Sequence, residues 1–230
     1  MKILKRFSSV HTTSKPGREI KYIVIHYTAG VTSRPGSAVN TADYYPKSQN
    51  VSADFTVDDA EIVQYNGNIK NRYCWHCGGN NYHTKGGSLF GKCTNANSIG
   101  VEICSTNSTG KMQNANDRTY SFTEAAVNNT LELVRFLMAE YNIPAENVVR
   151  HYDVTGKPCP GIIGWNADSG SEKEWEKFKA RLTGGSVSAV PDKKPAKYFV
   201  QVGAFSDKAN AEKFLAGVKK IFPQAFIKEF

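Results

Sequence analysis

No run of this 230-residue sequence is long and apolar enough to cross a membrane, which takes roughly 20 apolar residues in a helix. The start, Met1-Lys-Ile-Leu-Lys-Arg-Phe-Ser8, carries charge but no apolar segment behind it, so it lacks the pattern of a secretory signal peptide. The expectation is a protein made in the cytoplasm without a signal peptide and without membrane insertion. Cysteine is sparse and odd in number: Cys74, Cys77, Cys93, Cys104 and Cys159. In a chain without a signal, that argues against a complete disulfide framework. There is no arginine-rich helix and no nucleic-acid-binding motif, and the basic residues behind the +8 charge are scattered. Nucleic acid is therefore not expected as a partner. The charge reads either as ordinary solubility or as attraction to an anionic polymer.

What is present suits a globular protein: 40% hydrophobic and 11% aromatic residues argue against global disorder. The length holds one good-sized domain and a small one. Strands are predicted over residues 22–26, 54–57, 62–65, 99–104 and 148–150, with Asp58-Asp59-Ala60 as a hairpin turn. The strongest helix has Thr123 as N-cap and runs to about Tyr141, with Val127, Leu131, Val134 and Met138 on one face and Pro144 just beyond. Two more helices are predicted around residues 41–47 and 172–182. Strands and helices in this order give an α/β domain, a central mixed sheet flanked by helices, over residues 1–182. Residues 183–196, rich in small residues, proline and charge, read as a linker. Residues 197–230 read as a small C-terminal β-α-β unit. Its strands are Tyr198–Gly203 and Ala225–Lys228, and its helix follows Ser206 with Ala211, Phe214, Leu215 and Val218 on one face.

The most informative stretch is the loop from His151 to Gly161, which brings His151, Lys157 and Cys159 together on a backbone stiffened by Pro158 and Pro160. Histidine and cysteine are both good zinc ligands, but two ligands do not close a site. His26 is the best third candidate. It ends the apolar run Lys21-Tyr-Ile-Val-Ile25 and precedes a turn at Tyr27-Thr-Ala-Gly30. Three protein ligands with one open position is the pattern of catalytic zinc. Cys74-Trp-His-Cys77 has a spacing that elsewhere signals zinc or redox chemistry; a second site there would need His83 and Cys93.

Four segments, in order, carry a resemblance: Ile25-His26-Tyr27-Thr28-Ala29, Val51-Ser52-Ala53-Asp54-Phe55, Asn97 to Glu102, and His151 to Gly161. Together they resemble the zinc-dependent N-acetylmuramoyl-L-alanine amidases, a family that includes phage endolysins and is related in fold to peptidoglycan recognition proteins. The resemblance covers about residues 20–182. It implies Zn2+ bound by His26, His151 and Cys159, and hydrolysis of the amide between N-acetylmuramic acid and L-alanine in peptidoglycan by a zinc-activated water. An amide is a poor electrophile with a poor leaving group, so a carboxylate must take the water proton and pass it to the amine. Glu102 is the best candidate for that role. Lys157 is placed to stabilise the oxyanion, a contact typically worth about 3 to 4 kcal/mol of barrier. Asp153 is either a support for His151 or a cap for its loop. The resemblance also implies that Trp75 and His76 line the substrate groove. The chain departs from some relatives in having Ala53 where they carry a tyrosine and Asp54 where a histidine is common, which shifts weight onto Glu102, with Asp54 and Asp153 as the next groups to consider.

Tyr198-Phe-Val-Gln-Val-Gly-Ala-Phe-Ser206 resembles half of a SPOR domain, which implies wall targeting. One β-α-β unit of this size rarely carries its own core, so two copies from two chains would rebuild a complete layout and make a homodimer. The function expected is that of a phage endolysin or bacterial autolysin. A non-catalytic peptidoglycan-binding module is the competing class, and Cys159 argues against it. A cytoplasmic muropeptide-recycling amidase is the other, and the wall-binding-like tail argues against that.

Overall fold

A computed structural model describes residues 1–114, 117–184 and 206–219. The chain divides into two compact units, Met1–Val187 and Ser188–Phe230. In the first, a six-stranded sheet has the order β1-β5-β4-β7-β3-β10. Its strands are β1 (Ile3–Lys5), β3 (Tyr22–Tyr27), β4 (Phe55–Val57), β5 (Ile62–Gln64), β7 (Ser98–Ile103) and β10 (Val148–Arg150). All neighbours run parallel except the β4–β5 pair. That hairpin turns on Asp58, whose Oδ1 accepts from the backbone N–H groups of Ala60 and Glu61 and so supplies the turn's own hydrogen bonds. Two small antiparallel pairs stand beside the sheet: β2 (Thr12–Ser14) with β6 (Arg72–Cys74), and β8 (Thr106–Asn107) with β9 (Tyr120–Ser121).

Side chains alternate across a strand, and the sheet's two faces differ accordingly. Ile23, Ile25, Phe55, Val57, Ile99, Val101 and Ile103 form one apolar face. It packs under α2 (Glu124–Tyr141), with Leu131, Leu133, Val134 and Leu137 in the same core. Thr123 is the N-cap of α2, its hydroxyl accepting from the Ala126 N–H, and Asn142 closes the helix in the left-handed region. The helix α4 (Lys173–Gly184) adds Trp175, Phe178 and Leu182 to this core. It includes Thr183 and Gly184, the first two residues of the segment read as a linker; residues 185–196 lie outside the described residues.

The helix expected over residues 41–47 starts earlier, as α1 (Ser37–Tyr44) after Gly36, and ends in a 3-10 turn at Tyr45–Lys47. Pro46 has no N–H for the α-helical ladder, which accounts for the change of pitch. In the second unit the described residues form α5 (Lys208–Val218). Its cap is Asp207, not Ser206: the Asp207 carboxylate accepts from the Asn210 N–H at 2.9 Å. The two strands expected at Tyr198–Gly203 and Ala225–Lys228 lie outside the described residues.

Candidate active site

The second face of the sheet carries polar groups at the carboxyl ends of its central strands. His26 in β3 pairs in register with Glu102 in β7. Val148, Val149 and Arg150 pair with Ile23, Val24 and Ile25, so His151, the next residue, arrives level with His26. It opens the short helix α3 (His151–Thr155). The chain then turns at Gly156, where φ is +79° and an added Cβ would stand 2.6 Å from the Thr84 hydroxyl. That turn returns Cys159 to the helix start, with the Tyr152 N–H donating to the Cys159 carbonyl at 3.0 Å. Strand register thus places two ligand candidates and a carboxylate, and a glycine turn places the third ligand candidate.

Ligand atoms of His26, His151 and Cys159, all buried, lie within 4.8 Å of one another. Cys159 Sγ is 3.6 Å from His26 Nδ1, and the His26 and His151 rings meet edge to face at 4.9 Å. Two imidazole nitrogens and one sulfur form a donor set that suits zinc. His151 Nε2 is buried without a hydrogen-bond partner, a desolvation cost that a bound cation would offset. The residues present therefore fit the metal. Burial holds His26 well below the usual imidazole range, helped by His151, His76 and Lys157. Burial likewise brings His151 down to about 3, with Lys157 and His76 adding to it. Both rings are neutral at physiological pH, as ligation requires. Burial pushes the Cys159 thiol up to about 12, with Glu102 adding to the rise while Lys157 and the Tyr27 backbone N–H oppose it. A divalent cation held here would reverse that balance.

Glu102 Oε2 is shielded from solvent and has no partner. Desolvation raises this carboxyl to about 8 against the pull of Lys157 and His76, within the range that suits a group exchanging protons near neutrality. Lys157 is exposed at the rim of the cluster, and its charge acts on all four buried groups.

The other carboxylates near the site are engaged. Asp54 accepts from Asn66 Nδ2 at 2.7 Å and from the Gly100 N–H at 2.8 Å, which fixes β4 against β7. Asp153 takes the capping alternative: it accepts from the Arg150 N–H at 2.7 Å and pairs with the Arg150 guanidinium at 2.6 Å.

The Trp75–His76 pair does not form one groove-lining unit. Trp75 packs on His11 at 5.5 Å and its Nε1 donates to Thr13 on β2. His76 is buried, with Nδ1 3.1 Å from His26 Nε2 and Nε2 3.2 Å from Ser98 Oγ. With both ring nitrogens engaged inside the protein, His76 has none left for a substrate. Ser98 escaped the sequence reading. The signal was present, since 98, 100 and 102 share a strand face by the period of two.

The C-x-x-C spacing makes no chelate either. Cys74 packs with Ala38, Tyr65 and Cys104, while Cys77 packs with Val24, Cys93 and Val149. All five cysteines are buried free thiols.

Residues 16–162 match the family model described as N-acetylmuramoyl-L-alanine amidase. The chain belongs to that family. A SPOR domain model matches residues 194–229. The amidase family includes N-acetylmuramoyl-L-alanine amidase XlyA of Bacillus subtilis (strain 168), 33% identical over 185 residues that cover 80% of this chain and 52% of XlyA. Among solved structures, PlyL has a TM-score of 0.56 at 30% identity, covering 81% of this chain and 100% of PlyL. The catalytic domain of XlyA has a TM-score of 0.54 at 29% identity, covering 79% and 99%. This amidase-family chain thus shares the catalytic-domain fold, and it spans about half the length of the curated relatives it matches.

Proposed function

We propose that this chain hydrolyses the amide between N-acetylmuramic acid and L-alanine in peptidoglycan, with zinc held by His26, His151 and Cys159. The observation that carries the reading is the junction of that three-ligand cluster with a shielded, unpartnered carboxylate, Glu102, in register beside His26. When bound, zinc supplies Lewis acidity for the amide carbonyl and for water.

The chain's own groups do the rest. Glu102 Oε2 takes a proton from the attacking water as its oxygen bonds to the carbonyl carbon. The exposed ammonium of Lys157 stabilises the oxyanion that develops. Glu102 then delivers its proton to the alanine nitrogen as the C–N bond breaks. The products are the free carboxylate of the muramic acid and the free amine of L-alanine.

Residues 1–182 are the catalytic portion in this reading. The SPOR-like segment from residue 197 is a wall-binding element and, paired with a second copy, a homodimer contact. The site of action is the cell wall, in the manner of an endolysin or autolysin. Among the described residues no helix is long and apolar enough to cross a membrane.

The decisive experiment incubates the purified chain with peptidoglycan, with and without a chelator, and identifies the new end groups. The expected result is N-terminal alanine that appears only when metal is available. Release of reducing sugar ends, or of amines from within the stem peptide, would refute the assignment.

A further inference from the structure

We propose that His76 is a positioning residue that fixes the tautomer of His26, so that Nδ1 of His26 is the nitrogen left bare for the metal. The proposal rests on the zinc reading above and deepens it. The Ser98 hydroxyl has one hydrogen. Ser98 Oγ lies 2.6 Å from the Thr94 carbonyl, which can only accept, so the hydrogen goes there. Toward His76 Nε2 the same oxygen must then accept, and His76 carries its proton on Nε2. In a neutral imidazole the other nitrogen is then a lone-pair acceptor. That nitrogen, Nδ1, faces His26 Nε2 at 3.1 Å, so His26 donates from Nε2. Its Nδ1 is left with a lone pair, and this is the atom that faces Cys159 Sγ. Groups behind a metal ligand commonly select its tautomer and ring orientation in this way.

Two further features fit a site built for this ring. Asn95 Oδ1 accepts from the backbone N–H groups of both His76 and Cys77, at 3.0 and 2.7 Å, which holds the segment in place. Beneath the ring lies Gly100, in the middle of β7. A Cβ there would stand 2.6 Å from His76 Cγ. Glycine weakens a strand interior and often marks the close approach of another group; here that group is the imidazole. The opposite arrangement is a charged His76 beside an ionised Cys77. It would reverse only the bond to His26, with His76 Nδ1 donating to His26 Nε2, and would leave His26 Nδ1 protonated toward Cys159.

The test reads the metal-free full chain first. Long-range proton–nitrogen spectra of the 15N-labelled protein should show His26 with Nε2 protonated and Nδ1 bare. His76→Asn keeps an acceptor oxygen near the position of Nδ1 and should preserve that tautomer. His76→Leu should mix or reverse it. Ser98→Ala, which removes only the hydroxyl, should release His76 and shift His26 in the same direction. Zinc affinity, measured by competition with a chromophoric chelator, should fall about 10- to 100-fold in His76→Leu and be rescued in His76→Asn. Wild-type His26 protonated on Nδ1, or a His76→Leu protein that keeps both tautomer and affinity, would overturn the proposal. A wild type that takes up no zinc yet shows the expected tautomers would sink the zinc reading while leaving the relay standing.

Discussion

On one face of the central sheet, Ile23, Ile25, Phe55, Ile99, Val101 and Ile103 meet the leucines of α2 in an apolar core. On the other face the same strands present His26, Thr56, Ser98 and Glu102, with Asp54 at the start of β4, and each is engaged with a particular neighbour or shielded without one. Burial stabilises the first face by area removed from water. The second face adds buried polar groups that cost free energy unless they are satisfied. Stability and chemistry are thus divided by strand alternation, one residue apart along the same backbone. The two faces should respond to mutation in different observables.

The largest effect belongs to the polar face. Glu102→Gln should keep zinc and fold while turnover on peptidoglycan falls about 10²- to 10⁴-fold. Its melting temperature should hold or rise, because the substitution removes a shielded carboxylate that has no partner. Near wild-type turnover would exclude Glu102 as the proton carrier. Lys157→Ala comes next, with a loss of about 10²- to 10³-fold in kcat and no change in zinc content or melting, as befits an exposed rim residue. A variant that instead loses its zinc would place Lys157 in the fold of the loop rather than in the reaction.

On the apolar face the readouts exchange roles. Leu133→Ala, at a fully buried position of α2, should cost about 2 to 5 kcal/mol in denaturant unfolding, while the zinc content of the folded fraction stays at that of the wild type. If zinc is lost in proportion to stability, the two faces are not separable. The smallest effect is a pH trend at Lys179, whose Nζ donates to the carbonyls of Ala145 and, at 2.6 Å, Val148. Burial lowers this ammonium to about 8, against the pull of Asp153 and Glu146. Between about pH 8 and the ordinary lysine range near 10.4, the unfolded chain binds more protons than the folded one. Stability relative to Lys179→Met should therefore rise with pH across that window. A flat difference would mean that Lys179 keeps an ordinary titration in the fold.

The apolar face was the more legible of the two in the sequence. A continuous apolar run marks β3, period-two alternation marks β4 and β7, and Thr123 marks the start of α2; all appear at their expected places. The strands β1, β2, β6, β8 and β9 were not anticipated: most are short and polar, such as Thr12-Thr13-Ser14, with no apolar alternation to mark them. The cluster of His26, His151 and Cys159 was reachable because two of its members share a loop and the third ends an apolar strand. The environment of His76 was not. Its partners come from two other segments, Asn95 and Ser98 from one and His26 from another, and a neighbouring tryptophan suggested a surface groove instead. The cysteine spacing misled for a related reason: four adjacent residues can send their first and last side chains into different clusters.

β10 is the end strand, three residues long, and within the sheet it pairs with β3 alone. His26 sits near the close of β3, and His151 follows β10 directly. An ion shared between them would act as a clasp on the sheet's border, fastening a late stretch of chain to an early one across a long intervening loop. Closing such a loop is entropically costly, and so few ladder hydrogen bonds offset little of it. The border strand and the ion-binding cluster would then form as one event, after the central strands are in place. Loss of the ion would be felt first as fraying along that margin, while the interior strands remain closed.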